Sequence, residues 1–435
     1  MTASPLPAAS TEWAAPEIRQ TRAALSRVIE PGDLLAQVLI AELGPLEAYG
    51  RICASGGPGD ALQQRVGETA ETAGLSARQR RLTDALPRWR ARLRQVQGPR
   101  DLRSMQQLGG GLIIPEDSAW PAALNDLGPM APTALWFRAG PREGTSGAEG
   151  DPYERFLRRM PPHHRAIGIV GSREMTDYGG RVAVQLSSEL AGRDVCILSG
   201  GAYGVDAAAH RGALKAQAPS ERAPTIAVLA GGLDRWYPAG NEPLLRGIGN
   251  TGLLLSEMAP GSSPTKHRFL HRNRMIAALA AATVVVEARR RSGALSTAHH
   301  ALGLGRPVGV VPGSVFSASS EGCHRLLRDS PAQVITDAAD ILHLLLPDGG
   351  ALSTGSADEP QNTAEAVCTT QREQLDALGE VDQRVWDALP ARRFTSVGKL
   401  SEVAGLAVPQ VLGGLNRMQT LGLVIRRNGH WGRAR

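Results

Sequence analysis

Residues 166–210 read AIGIVGSREMTDYGGRVAVQLSSELAGRDVCILSGGAYGVDAAAH, and this stretch decides the fold. It contains two short apolar runs, AIGIV and VCILS, and each is followed by a glycine-containing turn and a segment with helical periodicity. Apolar runs of this length without alternation predict strands that are buried on both faces of a sheet. The order strand, helix, strand, helix therefore predicts parallel strands joined by right-handed crossovers.

The same alternation continues as far as residue 311, with the apolar runs TIAVLA, GLLLS, TVVVEA and PVGVV. The apolar spacing predicts helices at 179–192, 204–216, 241–250, 272–281 and 296–305. We therefore expect an α/β fold with a Rossmann-like parallel sheet at its core.

Other parts of the chain predict further domains. We expect an N-terminal helical domain at 1–104, the Rossmann-like domain at 105–345, a polar linker at 346–375 and a winged-helix domain at 376–435. The last of these is predicted from three helical segments and a hairpin turn at Asn428–Gly429. Winged helices bind duplex DNA or proteins, and the sequence leaves both alternatives open.

The composition is typical of a soluble globular protein, with 42% hydrophobic and 21% charged residues. No apolar run approaches the roughly 20 residues that a membrane span needs. The first 20 residues lack the basic start and apolar core of a secretory signal. The four cysteines are far apart and form no CxxC pair, so we expect neither a metal site nor a disulfide framework. This cysteine usage fits a cytoplasmic protein.

Positive charge is concentrated in one part of the sequence. The segment 258–320 contains eight lysines or arginines and one carboxylate, Glu287, so its net charge is +7. The whole chain has a formal net charge of +6, so the rest is close to neutral. A focused cluster of cations predicts a binding site for a polyanion.

Glycines and hydroxyl residues follow the predicted strands. Because the carboxyl ends of parallel strands share one edge, these turns are expected to meet there. Glycine allows close approach to the backbone, and helix N-termini favour anions, which together predict a phosphate-binding edge. The candidate residues are Gly171, Ser172 and Arg173 after the first strand, Ser199, Gly200 and Gly201 after the second, and Ser292, Gly293 and Thr297 after the fifth.

Two common phosphate ligands are disfavoured. The first turn lacks GxGxxG, and the second strand ends at Ser199 rather than at the acidic residue that holds the ribose of NAD. The sequence also lacks the GxxxxGK[ST] motif of P-loop ATPases. We therefore expect no cofactor.

Residues 265–275, TKHRFLHRNRM, place cations around one aromatic residue. We expect a helix to begin near Arg272 and Phe269 to be exposed. Spaced cations can neutralise a phosphate backbone, and an exposed ring can stack on an unpaired base, so this combination suits single-stranded nucleic acid. The candidate residues are Lys266, Phe269, Arg272, Asn273 and Arg274.

Several separated motifs together resemble the DNA-processing protein A family, also called DprA or Smf. The resemblance covers about residues 105–340. It is carried by GIVGSR, LSGGAYGVDAAAH, TIAVLAGGLDRWYPAGN, FLHRNRMIA, VVVEARRRSGALSTA, GRPVGVVPG and EGCHRLLRD. Two departures are FLHRNR in place of FPxRNR, with Leu270 and His271, and RDSPA in place of a glycine-containing segment.

The resemblance implies an extended Rossmann fold that binds single-stranded DNA without sequence preference and has no catalytic activity. It also implies a SAM-like N-terminal domain, a homodimer, and loading of RecA recombinase onto incoming DNA during natural transformation. The residues that match the family's DNA-contacting positions are Gly171, Ser172, Arg173, Lys266, Phe269, Arg272, Asn273, Arg274, Ser292, Gly293 and Thr297.

Two other functions compete with this interpretation. Nucleotide phosphoribohydrolases share a related sheet, but the matching turn here, RSGALSTAHHAL, lacks the glutamate that serves glycosidic cleavage. The acidic residues beside the glycine turns are Asp206, which we expect to cap a helix or to fix its loop, and Asp234. A transcription regulator would read duplex DNA with its winged helix, but the predicted recognition helix has a single cation, Arg417.

Overall fold

The computed structural model describes residues 12–141, 150–216, 221–345, 380–390 and 394–406, and part of 408–433. The chain divides into two compact units, Met1–Ala351 and Leu352–Arg435. The predicted linker at 346–375, the turn at Asn428–Gly429 and the cation Arg417 lie outside the described residues.

A nine-stranded sheet forms the centre of the first unit, with the order β1-β2-β6-β5-β4-β3-β7-β8-β9. Strands β3 to β9 are parallel, while β1 and β2 are antiparallel additions at one edge. The predicted α/β class and Rossmann-like core are confirmed. The strands are β1 Gly110–Ile113, β2 Leu135–Arg138, β3 Ala166–Val170, β4 Cys196–Ser199, β5 Thr225–Leu229, β6 Leu253–Ser256, β7 Ala282–Val285, β8 Val308–Val310 and β9 Gln333–Val334.

Helices cover both faces of this sheet, as buried parallel strands require. They are α6 Pro152–Arg159, α7 Asp177–Gly192, α8 Val205–Lys215, α9 Glu242–Thr251, α10 Lys266–Leu279, α11 Gly293–Gly303, α12 Glu321–Asp329 and α13 Ala338–Leu344. One core joins α10, α11 and α12 to the sheet, and a second core joins α7, α8 and α13 to it. The apolar runs of the sequence therefore lie between two layers of helices.

Helix α10 begins earlier than the sequence predicted. Its first residue is Lys266 rather than Arg272, because the Thr265 hydroxyl caps the helix by accepting a hydrogen bond from the Arg268 amide. The basic stretch is therefore helical from its start. Residues separated by two positions on this helix consequently face different directions.

Five helices precede the sheet: α1 Pro16–Val28, α2 Leu34–Cys53, α3 Asp60–Thr72, α4 Leu82–Arg90 and α5 Pro99–Gln107. They have their own apolar core, which includes Leu39 and Trp89. Salt bridges also attach α1 to residues near the sheet, such as Arg19 to Asp117 at 2.7 Å. Helix α5 spans the predicted boundary between the N-terminal domain and the Rossmann-like domain, which lies between residues 104 and 105. The domain boundaries remain a prediction.

The start of α10 also contacts the N-terminal helices. Glu30 accepts two hydrogen bonds from Arg268, at 2.6 and 3.0 Å. His271 packs against Gly32, whose φ of +80° suits glycine and whose Cβ position is occupied by the imidazole. These contacts fix one side of α10.

The second unit contains α14 Glu380–Ala388, α15 Val397–Ala404 and an antiparallel pair of strands, β10 Val424–Arg427 and β11 His430–Arg433. Trp431 is buried in its small core with Val385 and Leu400. The winged-helix assignment remains a prediction. Across the described part of the whole chain, no helix has both the length and the apolar character needed to cross a bilayer.

Candidate nucleic-acid interface

The strand order places a crevice between β3 and β7. From β3 the chain proceeds through β4, β5 and β6 on one side, whereas β7 pairs with the opposite edge of β3. Ligands of open α/β sheets bind at such a switch point, beyond the carboxyl ends of the strands. A cavity of about 380 Å³ lies there, which we call the switch-point cavity. It is lined by Val170, Gly171, Ser172, Arg173, Glu174, Ala202, Asp206, Phe269, Leu270, Arg272, Asn273, Ile276, Arg289, Arg291, Ser292, Gly293, Ala294 and Thr297.

The turn after β3 is held in one conformation by hydrogen bonds. The Ser172 amide donates to the Glu287 carbonyl at 2.7 Å, and the Ser172 hydroxyl donates to the Glu174 carbonyl at 3.0 Å. The buried Glu287 carboxylate accepts hydrogen bonds from the amide and hydroxyl of Thr176, at 2.9 and 2.5 Å. Gly171 is in close contact with Val205 of α8 and has no space for a Cβ. The backbone of this turn is therefore preorganised.

Arg173 extends from this turn over the ring of Phe269. Its guanidinium carbon is 5.0 Å from the ring centroid, which is within the range of a cation–π contact. Phe269 is half-buried rather than fully exposed, and Lys266 is exposed one turn earlier on α10. The structure therefore brings a cation and an aromatic face together at the cavity.

Arg272 and Asp206 form the buried floor of the cavity. Arg272 donates a hydrogen bond to the Val228 carbonyl at 2.6 Å, and its burial lowers the pKa to about 10, so it remains charged at neutral pH. The Asp206 carboxylate accepts hydrogen bonds from the amides of Gly200 and Ala202, at 3.1 and 3.4 Å. Burial raises its pKa, while the nearby Arg272 charge acts in the opposite direction. Asp206 therefore holds the loop after β4.

The N-terminus of α11 completes the lining. Ser292 caps this helix by accepting a hydrogen bond from the Ala294 amide at 3.3 Å. The Asn273 side chain donates to the Gly293 carbonyl at 3.2 Å and so connects α10 to the cap. Thr297 is buried one turn further along α11. A helix N-terminus at a cavity favours the binding of an anion.

Three other candidate residues, Ser199, Gly200 and Gly201, do not line the switch-point cavity. The Ser199 hydroxyl is buried and donates to the Ile169 carbonyl at 2.7 Å. The Gly201 carbonyl accepts a hydrogen bond from the Asn241 side chain at 3.0 Å. Neither residue lines the cavity, and Gly200 lines a neighbouring one. On a strand or tight turn, successive residues face opposite ways, which the glycine pattern alone does not show.

Arg274 is also directed away from the cavity. Its side chain is 1% exposed and contacts both carboxylate oxygens of Glu257 at 2.9 Å. It also donates to the Met130 carbonyl at 2.7 Å. Two positions on a helix correspond to a rotation of about 200°, so Arg272 and Arg274 face opposite sides of α10. We therefore leave Arg274 out of the proposed interface.

Ion pairs neutralise part of the charge that the sequence places in 258–320. Four of its eight cations have a carboxylate within 4.0 Å, namely Arg268, Arg274, Arg289 and Arg306. Within the described ranges, no ion pair to a carboxylate within 4.0 Å is found for the other four, Lys266, Arg272, Arg290 and Arg291, and none is found for Arg173 outside the segment. The effective positive charge of this region is therefore smaller than the net charge of +7 counted for 258–320, because carboxylates from outside the segment pair with its cations.

The sequence did not identify two residues that shape this region. Glu287, which was counted only as a negative charge, anchors Thr176 and the β3 turn. Tyr237 lies beside Phe269, with 5.8 Å between the ring centroids. The sequence feature that could have identified Tyr237 is its position in WYP, in the turn after the third predicted strand.

Comparison with known proteins gives concordant matches. The family described as DNA recombination-mediator protein A matches residues 158–346. A Mycobacterium tuberculosis protein named for DNA processing, DprA, is 39% identical over 417 residues, which cover 94% of this chain and 92% of that protein. Protein Smf of Escherichia coli is 33% identical over 280 residues, covering 63% and 69% of the two chains.

A solved structure agrees with these matches. The X-ray structure of DNA processing protein A from Streptococcus pneumoniae superposes with a TM-score of 0.51 and 26% identity, covering 74% of this chain and 97% of that one. Similarity of sequence over nearly the whole length and similarity of fold thus point to the same family. The chain belongs to the DNA processing protein A family, also called DprA or Smf.

Proposed function

We propose that the switch-point cavity binds single-stranded DNA without sequence preference. The observation that carries this proposal is the Arg173 guanidinium lying 5.0 Å from the half-buried Phe269 ring, beside the capped N-terminus of α11. The cation and the helix N-terminus suit a phosphate, and the ring suits an unpaired base.

The location of the Phe269 ring favours single-stranded over duplex DNA. Phe269 is recessed within a cavity of about 380 Å³, so a base must leave its stack and its partner to contact it. Stacking accepts any base, and backbone and guanidinium groups contact phosphates of any sequence. Sequence-independent binding is the expected result.

We further propose that the bound strand is incoming DNA in natural transformation, and that a cytoplasmic homodimer protects it and loads RecA recombinase onto it. Membership of a family named for DNA processing and recombination mediation supports this proposal. Recombinase filament formation on strands coated with single-strand-binding protein, with and without this protein, would test the loading step.

Binding is expected to weaken steeply with salt, because cations that contact phosphates release counterions. The Arg173→Ala and Lys266→Ala substitutions should each make the negative slope of log affinity against log salt concentration shallower by about one. Anisotropy titrations of single-stranded and duplex oligonucleotides at several salt concentrations measure this slope. Arg246→Ala is the matched control, since Arg246 is exposed on α9 and pairs with Glu242 at 2.7 Å. Unchanged slopes in both variants, or preference for duplex, would contradict the proposal.

The phosphoribohydrolase alternative has one observation in its favour, the buried Asp206 carboxylate at the cavity. Its pKa is raised by burial, a feature often found in catalytic acids. However, Asp206 accepts two backbone hydrogen bonds and faces Arg272, which suits a residue that fixes a loop. Purified protein is expected to release no base from nucleoside monophosphates. Turnover that disappears in Asp206→Ala would favour the enzyme instead.

A further inference from the structure

A second cavity shares a wall with the switch-point cavity. It has a volume of about 200 Å³ and is formed mainly by the turn after β5, so we call it the β5 cavity. Phe269 lines both cavities. A ligand that contacts Phe269 from the switch-point cavity would therefore need little extra length to reach the β5 cavity.

An aromatic ring accompanies Phe269 in the β5 cavity. Tyr237 is 50% exposed, and its ring centroid is 5.8 Å from that of Phe269. The two ring planes are inclined by 48°, so the rings do not stack face to face on each other. A half-exposed ring in this position can accept the face of a base, as single-strand-binding surfaces commonly do.

A cation is also present at this cavity. Arg235 lines it with a side chain that is 79% exposed, and its carboxylate contact, Asp234, is 3.8 Å away. An exposed ion pair at this distance contributes little stability. Asp234 is also occupied as the acceptor of a 2.6 Å hydrogen bond from the Gly261 amide. The Arg235 guanidinium can therefore turn to a phosphate at small cost.

Each cavity thus has both an arginine and an aromatic ring in its lining, Arg173 with Phe269 in the switch-point cavity and Arg235 with Tyr237 in the β5 cavity. We propose that the β5 cavity holds the nucleotide adjacent to the one in the switch-point cavity, with Tyr237 stacking on its base and Arg235 contacting its phosphate. This inference rests on the proposed single-strand binding and extends it by giving the path of the strand across Phe269 toward β5.

The test uses the full chain and thymidine oligonucleotides of increasing length, measured by fluorescence anisotropy. With the parent protein, the affinity should rise with length until both cavities are filled. Tyr237→Ala should lower the affinity for long oligonucleotides about tenfold, because one stacked base is lost. It should also shorten by one nucleotide the length at which the affinity stops rising. Arg235→Ala should reduce the salt slope by about one.

Two controls separate the possible failures. Tyr237→Phe retains the ring and should bind every length like the parent, and thermal melting should show that all variants are folded. If the parent binds and Tyr237→Ala matches it at every length, the β5 cavity is not part of the path, although the proposed function stands. If the parent binds no oligonucleotide, the proposed function fails and the inference fails with it.

Discussion

Replacing Arg274 by alanine is expected to lower the free energy of unfolding by about 3–5 kcal/mol, the largest effect on stability that we predict. Arg274 is almost completely buried, and its guanidinium contacts both oxygens of Glu257. It also donates to the carbonyls of Met130 and His271. The substitution leaves a buried carboxylate without its counter-charge and two carbonyls without a donor, which is costly in a low-dielectric interior.

Chemical denaturation of Arg274→Ala and the parent measures this difference. Glu257→Gln is the matched variant, because it removes the charge of the partner and keeps a hydrogen-bond acceptor of similar size. It should also destabilise the protein, while the folded protein keeps its affinity for single-stranded DNA. If Arg274→Ala were as stable as the parent but bound oligonucleotides weakly, Arg274 would be a DNA contact and the structural assignment would be wrong.

Replacing Phe269 by alanine is expected to weaken single-stranded DNA binding by about 1–3 kcal/mol, which corresponds to roughly 5- to 150-fold in the dissociation constant. Phe269 is half-buried, and its ring lines both cavities. Removing the ring takes away the stacking surface and also the face over which the Arg173 guanidinium lies. Both losses reduce binding of a base and its phosphate.

Titration with a labelled oligonucleotide at one fixed salt concentration measures the effect. Phe269→Tyr is the matched control, since it keeps an aromatic face of nearly the same size and should bind within about threefold of the parent. Thermal melting distinguishes loss of binding from loss of fold. Parent-like affinity in Phe269→Ala would show that no base stacks on this ring, and the cavity would then have to be assigned another ligand.

Local patterns were sufficient to predict the sheet core. Runs such as AIGIV and TIAVLA became β3 and β5, because short unbroken apolar segments that alternate with helical segments are typical of strands buried on both faces of a parallel sheet. Helix starts were harder to predict. The start of α10 was placed six residues too late, since the charged stretch after Thr265 masks the apolar period on which the prediction relied.

Local patterns also indicated which turns approach the edge of the sheet, but not which side chains face the cavity. Gly171, Arg173 and Ser292 were predicted there and line it, whereas Ser199 was predicted there and is hydrogen-bonded inside the fold. The direction of a side chain depends on the exact register of its turn or helix, and glycine spacing does not report this register.

By itself, the sequence determined the α/β class, the order of strands and helices along the core, and the concentration of cations in 258–320. These properties follow from local periodicity and composition, which are readable one segment at a time. Only the tertiary structure decided that β7 pairs with β3 and so creates the switch-point cavity. Only the tertiary structure showed that Glu257 and Glu30 neutralise cations from the basic stretch, whereas Arg173 lies over Phe269. The physical reason is that strand pairing and ion pairing join residues far apart in the chain, and no local pattern specifies such partners.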